Sequence, residues 1–142
     1  MSTISFPLFS VDAPDEWQDL EEESVPTLGR AVDGVGALQL TVGIYRGGPL
    51  PSPTTTDLLE MVWNLARSNE LDSPYDVESR VVPFMSAAAS FDWGTNFLRI
   101  WMVSDGQNFG QITYVCELGQ QVAELDDCEN IVASLKFNAA KQ

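Results

Sequence analysis

The sequence predicts an α+β fold, an antiparallel β-sheet with helices packed against it. Three observations lead there. Period-two alternation of apolar residues marks strands at 37–45 and 109–116, the apolar run 97–103 pairs with the latter across an Asp-Gly turn, and three- and four-residue spacing marks helices at 57–69 and 125–135. The two helical stretches are separated by a block of strands, so no βαβ rhythm arises and the strands are antiparallel. At 142 residues with 44% hydrophobic content, the chain is long enough for one domain (1–142) with its own core.

Each element has a local reason. Ile4, Phe6 and Leu8 alternate with polar or proline neighbours, the period of a short strand, and Pro7 lacks a donor, which confines that strand to an edge. The chain turns at Ala13-Pro14. From Asp15 to Glu23 only Trp17 and Leu20 are apolar, so this segment reads as a surface helical turn or loop. Leu38, Leu40, Val42 and Ile44 line one face of the next strand, which stops at Arg46-Gly47-Gly48-Pro49. After Pro51 and Pro53 a helix opens near Thr56-Asp57, with Asp57 and Glu60 suited to the positive end of its dipole. Leu58, Leu59, Val62, Leu65 and Ala66 form its stripe, and Trp63 is either the flank of that stripe or an exposed aromatic.

Val77 to Phe91 reads as a long strand or a bent pair interrupted at Pro83. Its run Ser86-Ala87-Ala88-Ala89-Ser90 has little bulk and suits a strand beneath a closely packed helix. Phe97–Val103 and Phe109–Cys116 flank Ser104-Asp105-Gly106-Gln107-Asn108, and Asp-Gly supplies the positive φ of a hairpin turn. Leu125, Cys128, Ile131/Val132 and Leu135 make a closing amphipathic helix whose start carries Glu124, Asp126, Asp127 and Glu129, where the dipole favours anions. Lys136-Phe137 follows as a short strand or cap.

Charge and missing residue types exclude most chemistries. There are 21 acidic against 7 basic side chains and no histidine, a formal charge of −14. Nucleic acid and anionic lipid are repelled by such a chain. The usual general base and zinc ligand are absent. Ser104 and Ser134 have no histidine partner, the glycines form neither GxGxxG nor a Walker loop, and the carboxylates include no Asp-x-Asp-x-Asp-Gly loop. No enzymatic activity, metal or cofactor is expected. Cys116 and Cys128, twelve apart and outside any CxxC pattern, are either two free thiols or a disulfide between the penultimate strand and last helix. The start carries no cationic and apolar leader pattern, and no apolar run reaches about 18 residues, so the expected location is the cytoplasm.

The stretch Phe9-Ser10-Val11-Asp12-Ala13-Pro14-Asp15-Glu16-Trp17, the segment from Phe91-Asp92-Trp93-Gly94 to Glu117, and the tail Ile131-Val132-Ala133-Ser134-Leu135-Lys136-Phe137 resemble the PsbP-like/DcrB-like superfamily. That superfamily includes a photosystem accessory protein, a yeast Ran-binding nuclear-import factor and the Eag effector chaperones of type VI secretion. A Pro-x-x-Trp after the first strand and an apolar-Ser-Leu-x-Phe tail are shared in form by Pro14-x-x-Trp17 and Ser134-Leu135-x-Phe137. The resemblance implies a PsbP-like fold and transfers no binding residue. A likeness to small acidic bacterial immunity proteins is one of size, charge and compartment.

The first twenty-nine residues hold seven carboxylates and no Lys or Arg. An aromatic ringed by carboxylates is what a hot spot for a basic partner requires. The expected function is therefore a non-enzymatic protein-binding module, a bacterial immunity protein or effector chaperone engaging a basic toxin or effector domain. Its expected contact residues are Glu16, Trp17, Asp19, Glu21, Glu22, Glu23, Trp93 and Asp105; Trp101 is expected in the core. The competing reading is a small-molecule-binding protein or enzyme with a pocket between sheet and helix, holding Arg99, Tyr114 and a carboxylate.

Overall fold

The computed structural model describes residues 1–20, 25–43 and 52–138. Ten strands form along it: β1 (Ser2–Ser5), β2 (Phe9–Ala13), β3 (Trp17–Asp19), β4 (Thr27–Arg30), β5 (Gly36–Gly43), β6 (Tyr75–Arg80), β7 (Met85–Trp93), β8 (Asn96–Ser104), β9 (Phe109–Glu117) and β10 (Lys136–Phe137). Helix α1 (Thr55–Ser68) lies between β5 and β6, and α2 (Leu125–Ala133) precedes β10. Seven strands make one sheet in the order β3-β4-β5-β9-β8-β7-β6, and β1-β2-β10 make a second. Every pairing is antiparallel, as alternation and helix segregation predict.

Two apolar clusters lie on the two faces of the large sheet. On one, Leu58, Val62 and Ala66 of α1 sit over Ala87, Ala89, Phe91, Leu98, Ile100 and Met102. The alanines of β7 let the helix lie close, as their small size predicts. Thr54 caps α1 in a reciprocal box: the Asp57 amide donates to Thr54 Oγ1 at 3.1 Å and the Thr54 amide to Asp57 Oδ2 at 2.9 Å. Trp63 is half-buried and meets Phe91 edge to face. On the other face, Cys128, Ile131, Val132 and Leu135 join Phe9, Val11 and Ala13 over Leu38, Leu40, Phe97, Trp101, Ile112 and Tyr114.

The structure departs from the sequence reading twice within the first twenty residues. The expected strand over Ile4 to Leu8 is a hairpin instead, because Pro7 cannot donate to a ladder; β1 ends at Ser5 and the Phe6 amide turns back to the Phe9 carbonyl at 2.8 Å. The acidic segment after Pro14 is no helical turn: Trp17–Asp19 is an extended edge strand paired with β4. Ile44, Tyr45 and the stop signal at 46–49 lie outside the described residues. The segment 77–91 resolves as the bent pair, β6 and β7, with a cis Val82–Pro83 bond in its turn. At the Asp105-Gly106 turn Gly106 takes φ +96°, as expected. Both cysteines are free and buried.

Candidate functional site

Helix α2 owes its position to polar pins as much as to apolar packing. Ser134, just beyond its end, accepts from the Asp12 amide at 2.7 Å and donates to the Ile131 carbonyl at 2.6 Å, with the Asp12 carbonyl 3.1 Å away. Trp17 Nε1 donates to Asp127 at 3.0 Å. Tyr114 Oη donates to Glu124 at 2.8 Å, and the Val35 amide donates to the same carboxylate at 3.0 Å, with Arg30 4.0 Å away. Trp101 Nε1 and Arg99 Nε divide the oxygens of Glu129 at 3.2 and 2.9 Å. Three acids that the sequence explains by the helix dipole thus have individual donors. Glu124 in particular is buried, which a charge run in sequence does not reveal.

Arg99 is the centre of the second network. It is 2% exposed on the interior strand β8. Its guanidinium donates to Glu129 of α2, to Ser90 Oγ of β7 at 2.8 Å, and to the Asp76 carbonyl of β6 at 2.9 Å. It approaches Glu78 at 3.4 Å and lies 5.5 Å from the Trp101 ring centroid. One planar fork therefore joins three strands and a helix, a task a single ammonium cannot perform. Above it opens a cleft of about 530 Å³ between β6 and α2, lined by Asp76, Glu78, Arg80, Leu125, Asp126, Glu129, Asn130 and Ala133. Four carboxylates face two arginines there, so the cleft is net acidic.

The sequence-predicted contact residues do not share one surface. Trp17 is a core residue, 4% exposed, and is corrected from the contact list: its ring packs under α2 and its N–H is committed to Asp127. Glu16 is exposed and Asp19 half-buried on the β3 edge. Glu21, Glu22 and Glu23 lie outside the described residues. Trp93 is 44% exposed beside a small depression between α1 and β9, five strands from β3. At about 4.8 Å per strand that is roughly 24 Å away. Asp105 sits at the opposite end of β8, roughly 30 Å from Trp93 at about 3.3 Å per residue, where it accepts from the Gln107 and Asn108 amides. The cleft residues Asp76, Glu78, Asp126 and Glu129 were not among the expected contacts, since nothing local in sequence brings β6 to α2.

Arg99 and Tyr114 do stand opposite each other in register on the α2 face. Each has its own carboxylate, and Tyr114 is wholly buried, so they do not open together into one pocket. Burial raises the Tyr114 hydroxyl, and the Glu124 carboxylate adds to the shift. Burial likewise raises both thiols, with Glu124 adding to Cys128. Tyr75 is pushed up to about 12 by desolvation and its bond to Asp92. Each group holds its proton more tightly folded than unfolded. Stability is therefore full below the unfolded values, about 8.5 for a thiol and 10 for a phenol, and falls as pH rises past them. We expect neither cysteine to react with a thiol reagent at pH 8 until denaturant is added, and the urea midpoint to fall between pH 9 and 11. Rapid labelling of the native protein is the contrary result.

Comparison with solved structures matches this arrangement of sheet and helices. The solution structure of cyanobacterial PsbP (CyanoP) from Synechocystis sp. PCC 6803 superposes with a TM-score of 0.58 at 11% identity, covering 91% of this chain and 86% of that one. The fold is PsbP-like. A crystal structure from Bacteroides thetaiotaomicron VPI-5482 matches with a TM-score of 0.57 at 14% identity over 92% of this chain, which spans 45% of the Bacteroides chain. No protein-family model matches the sequence, and no curated protein matches it. Within the PsbP-like frame, the two matching motifs are structural: the Trp17 amide donates to the Pro14 carbonyl at 2.9 Å, and Ser134 ties α2 to β2. Among the described residues no group of three or more metal-ligating side chains occurs, and no helix is long and apolar enough to cross a membrane.

Proposed function

We propose that this chain is a non-catalytic binding module for a cationic protein, in the class of a secretion effector chaperone or a bacterial immunity protein. The observation that carries the reading is how its ionisable groups are divided. Arg99, Glu124, the Tyr114 phenol and the Cys116 and Cys128 thiols are buried, and several are tied to partners. The exposed remainder is overwhelmingly acidic, under a formal charge of −14. A surface of that kind accelerates and selects encounter with a basic partner.

Binding to that partner should weaken steeply with salt, because exposed charges are screened within about 8 Å at physiological ionic strength. The test captures partners from the native cell on immobilised protein at low salt and measures affinity for each by titration between about 0.05 and 0.5 M salt. A cationic partner losing at least tenfold in affinity is expected. Equal affinity across the series would replace the acidic surface with apolar contact as the basis of recognition.

A further inference from the structure

Strand β6 is one edge of the seven-stranded sheet, and all six of its residues are exposed. No described strand pairs with its outer side. The opposite edge, β3, is only three residues long. An unpaired edge presents a row of backbone donors and acceptors ready for another chain. Beside this one lies the acidic cleft, and Asp76 and Glu78 belong to both the edge and the cleft.

We propose that β6 receives an extended basic segment of the partner as an eighth strand, with its lysine or arginine side chains entering the cleft between β6 and α2. This rests on the binding-module reading and gives it a place and a mode. Strand addition draws affinity from the backbone and specificity from alternate side chains. In an added strand those side chains recur about every 7 Å on one face. Glu78 on the near wall of the cleft is already engaged by Arg80 and Arg99, so such cations arrive at Asp76 on the near wall and Asp126 on the far wall. The formal charge of −14 disfavours the other obvious occupant, a second copy of this chain, even though antiparallel self-pairing about Ser79 would set Glu78 against Arg80. The bulge between Tyr75 and Glu78, where Asp76 takes φ +51°, limits regular pairing to Glu78–Arg80, no longer than β3, so it is the adjoining acidic cleft and not the length of the edge that singles out β6.

The probe is a capped decapeptide of alternating lysine and valine, titrated into the isotope-labelled protein. Two further peptides carry N-methyl groups on every lysine or on every valine. Only one set of amides in an added strand faces β6, so one methylated peptide should bind at least tenfold more weakly than the parent and the other nearly as well. Amide shift changes should concentrate in β6 and the start of α2. The double variant D76N/D126N should weaken binding at least fivefold; asparagine tolerates the positive φ at 76, and the carbonyl that Arg99 needs is retained. Equal binding of all three peptides, or none at millimolar concentration, overturns strand addition. Unchanged binding by the double variant, or shifts centred on β3, overturns the cleft. Partner capture that is salt-sensitive while the peptide fails leaves the acidic-module reading standing and removes only this one. Peptide binding that ignores salt overturns the acidic cleft, and partner affinity that ignores salt removes the module reading as well.

Discussion

Trp101→Ala should destabilise the protein by about 3–5 kcal/mol, lowering the melting temperature by about 10 °C or more. The ring is 2% exposed on β8, within the cluster shared by the large sheet, α2 and β2. Truncation removes three things together: most of an indole's volume from the core, the donor to Glu129, and the face that Arg99 lies against. Trp101→Phe separates them. It keeps an aromatic body and loses the N–H, so it should cost about 1 kcal/mol for the hydrogen bond and a smaller cavity besides. Denaturant midpoints of the two variants make the measurement. Parent-like stability for the alanine variant would mean that the ring is not where the core needs it.

Elements with a long internal period were legible in the sequence, and those decided by a distant partner were not. β9 could be read because nine residues repeat its alternation several times, and β8 because it is a long apolar run that Asp105-Gly106 joins to β9. α1 could be read because its stripe and its cap agree; only its start moved, to a Thr54 cap. β4 has four residues, three of them buried, and so no alternation to detect; its Gly29 stands where a Cβ would meet Leu20 at 3.1 Å. Trp17 lies in an acidic run that looks solvated, yet its partner Asp127 is 110 positions away. The candidate site fared likewise. Trp93 is exposed, as a turn setting suggests, but Glu124 and Arg99 are ordinary charges in sequence. Their burial is decided by which strands lie between them and solvent, and a local pattern holds no record of that. The same limit applies to Asp76 and Glu78, which carry no local signal, and to Asp126, which reads only as a helix-dipole acid: they are acids among 21 until β6 and α2 face each other.

Removing Arg99 should cost about as much as removing Trp101, and should act on the cleft as well as on the core. Breaking a buried charge pair by deleting one partner costs about 3–5 kcal/mol, because the other is left without compensation. Glu129 and Glu78 retain some solvent, 29% and 45% of their side chains, which places Arg99→Met toward the lower end of that range. Arg99→Lys should recover little of it, since one ammonium cannot span Glu129, Ser90 and the Asp76 carbonyl together. Adding Glu129→Gln to Arg99→Met should restore part of the loss, because the amide oxygen still accepts from Trp101 while the stranded negative charge is gone. The spatial pattern matters more than the total. Apart from its ladder to β7, the Tyr75 bond to Asp92 and the Tyr75 ring edge-to-face with Phe97, β6 is held by this guanidinium. In Arg99→Met, hydrogen exchange should therefore rise most for amides 75–80, by tenfold or more relative to β9, and binding of the lysine-valine peptide should weaken with it. A uniform rise over the whole sheet would mean that Arg99 supports the core alone and that the edge strand keeps its position without it.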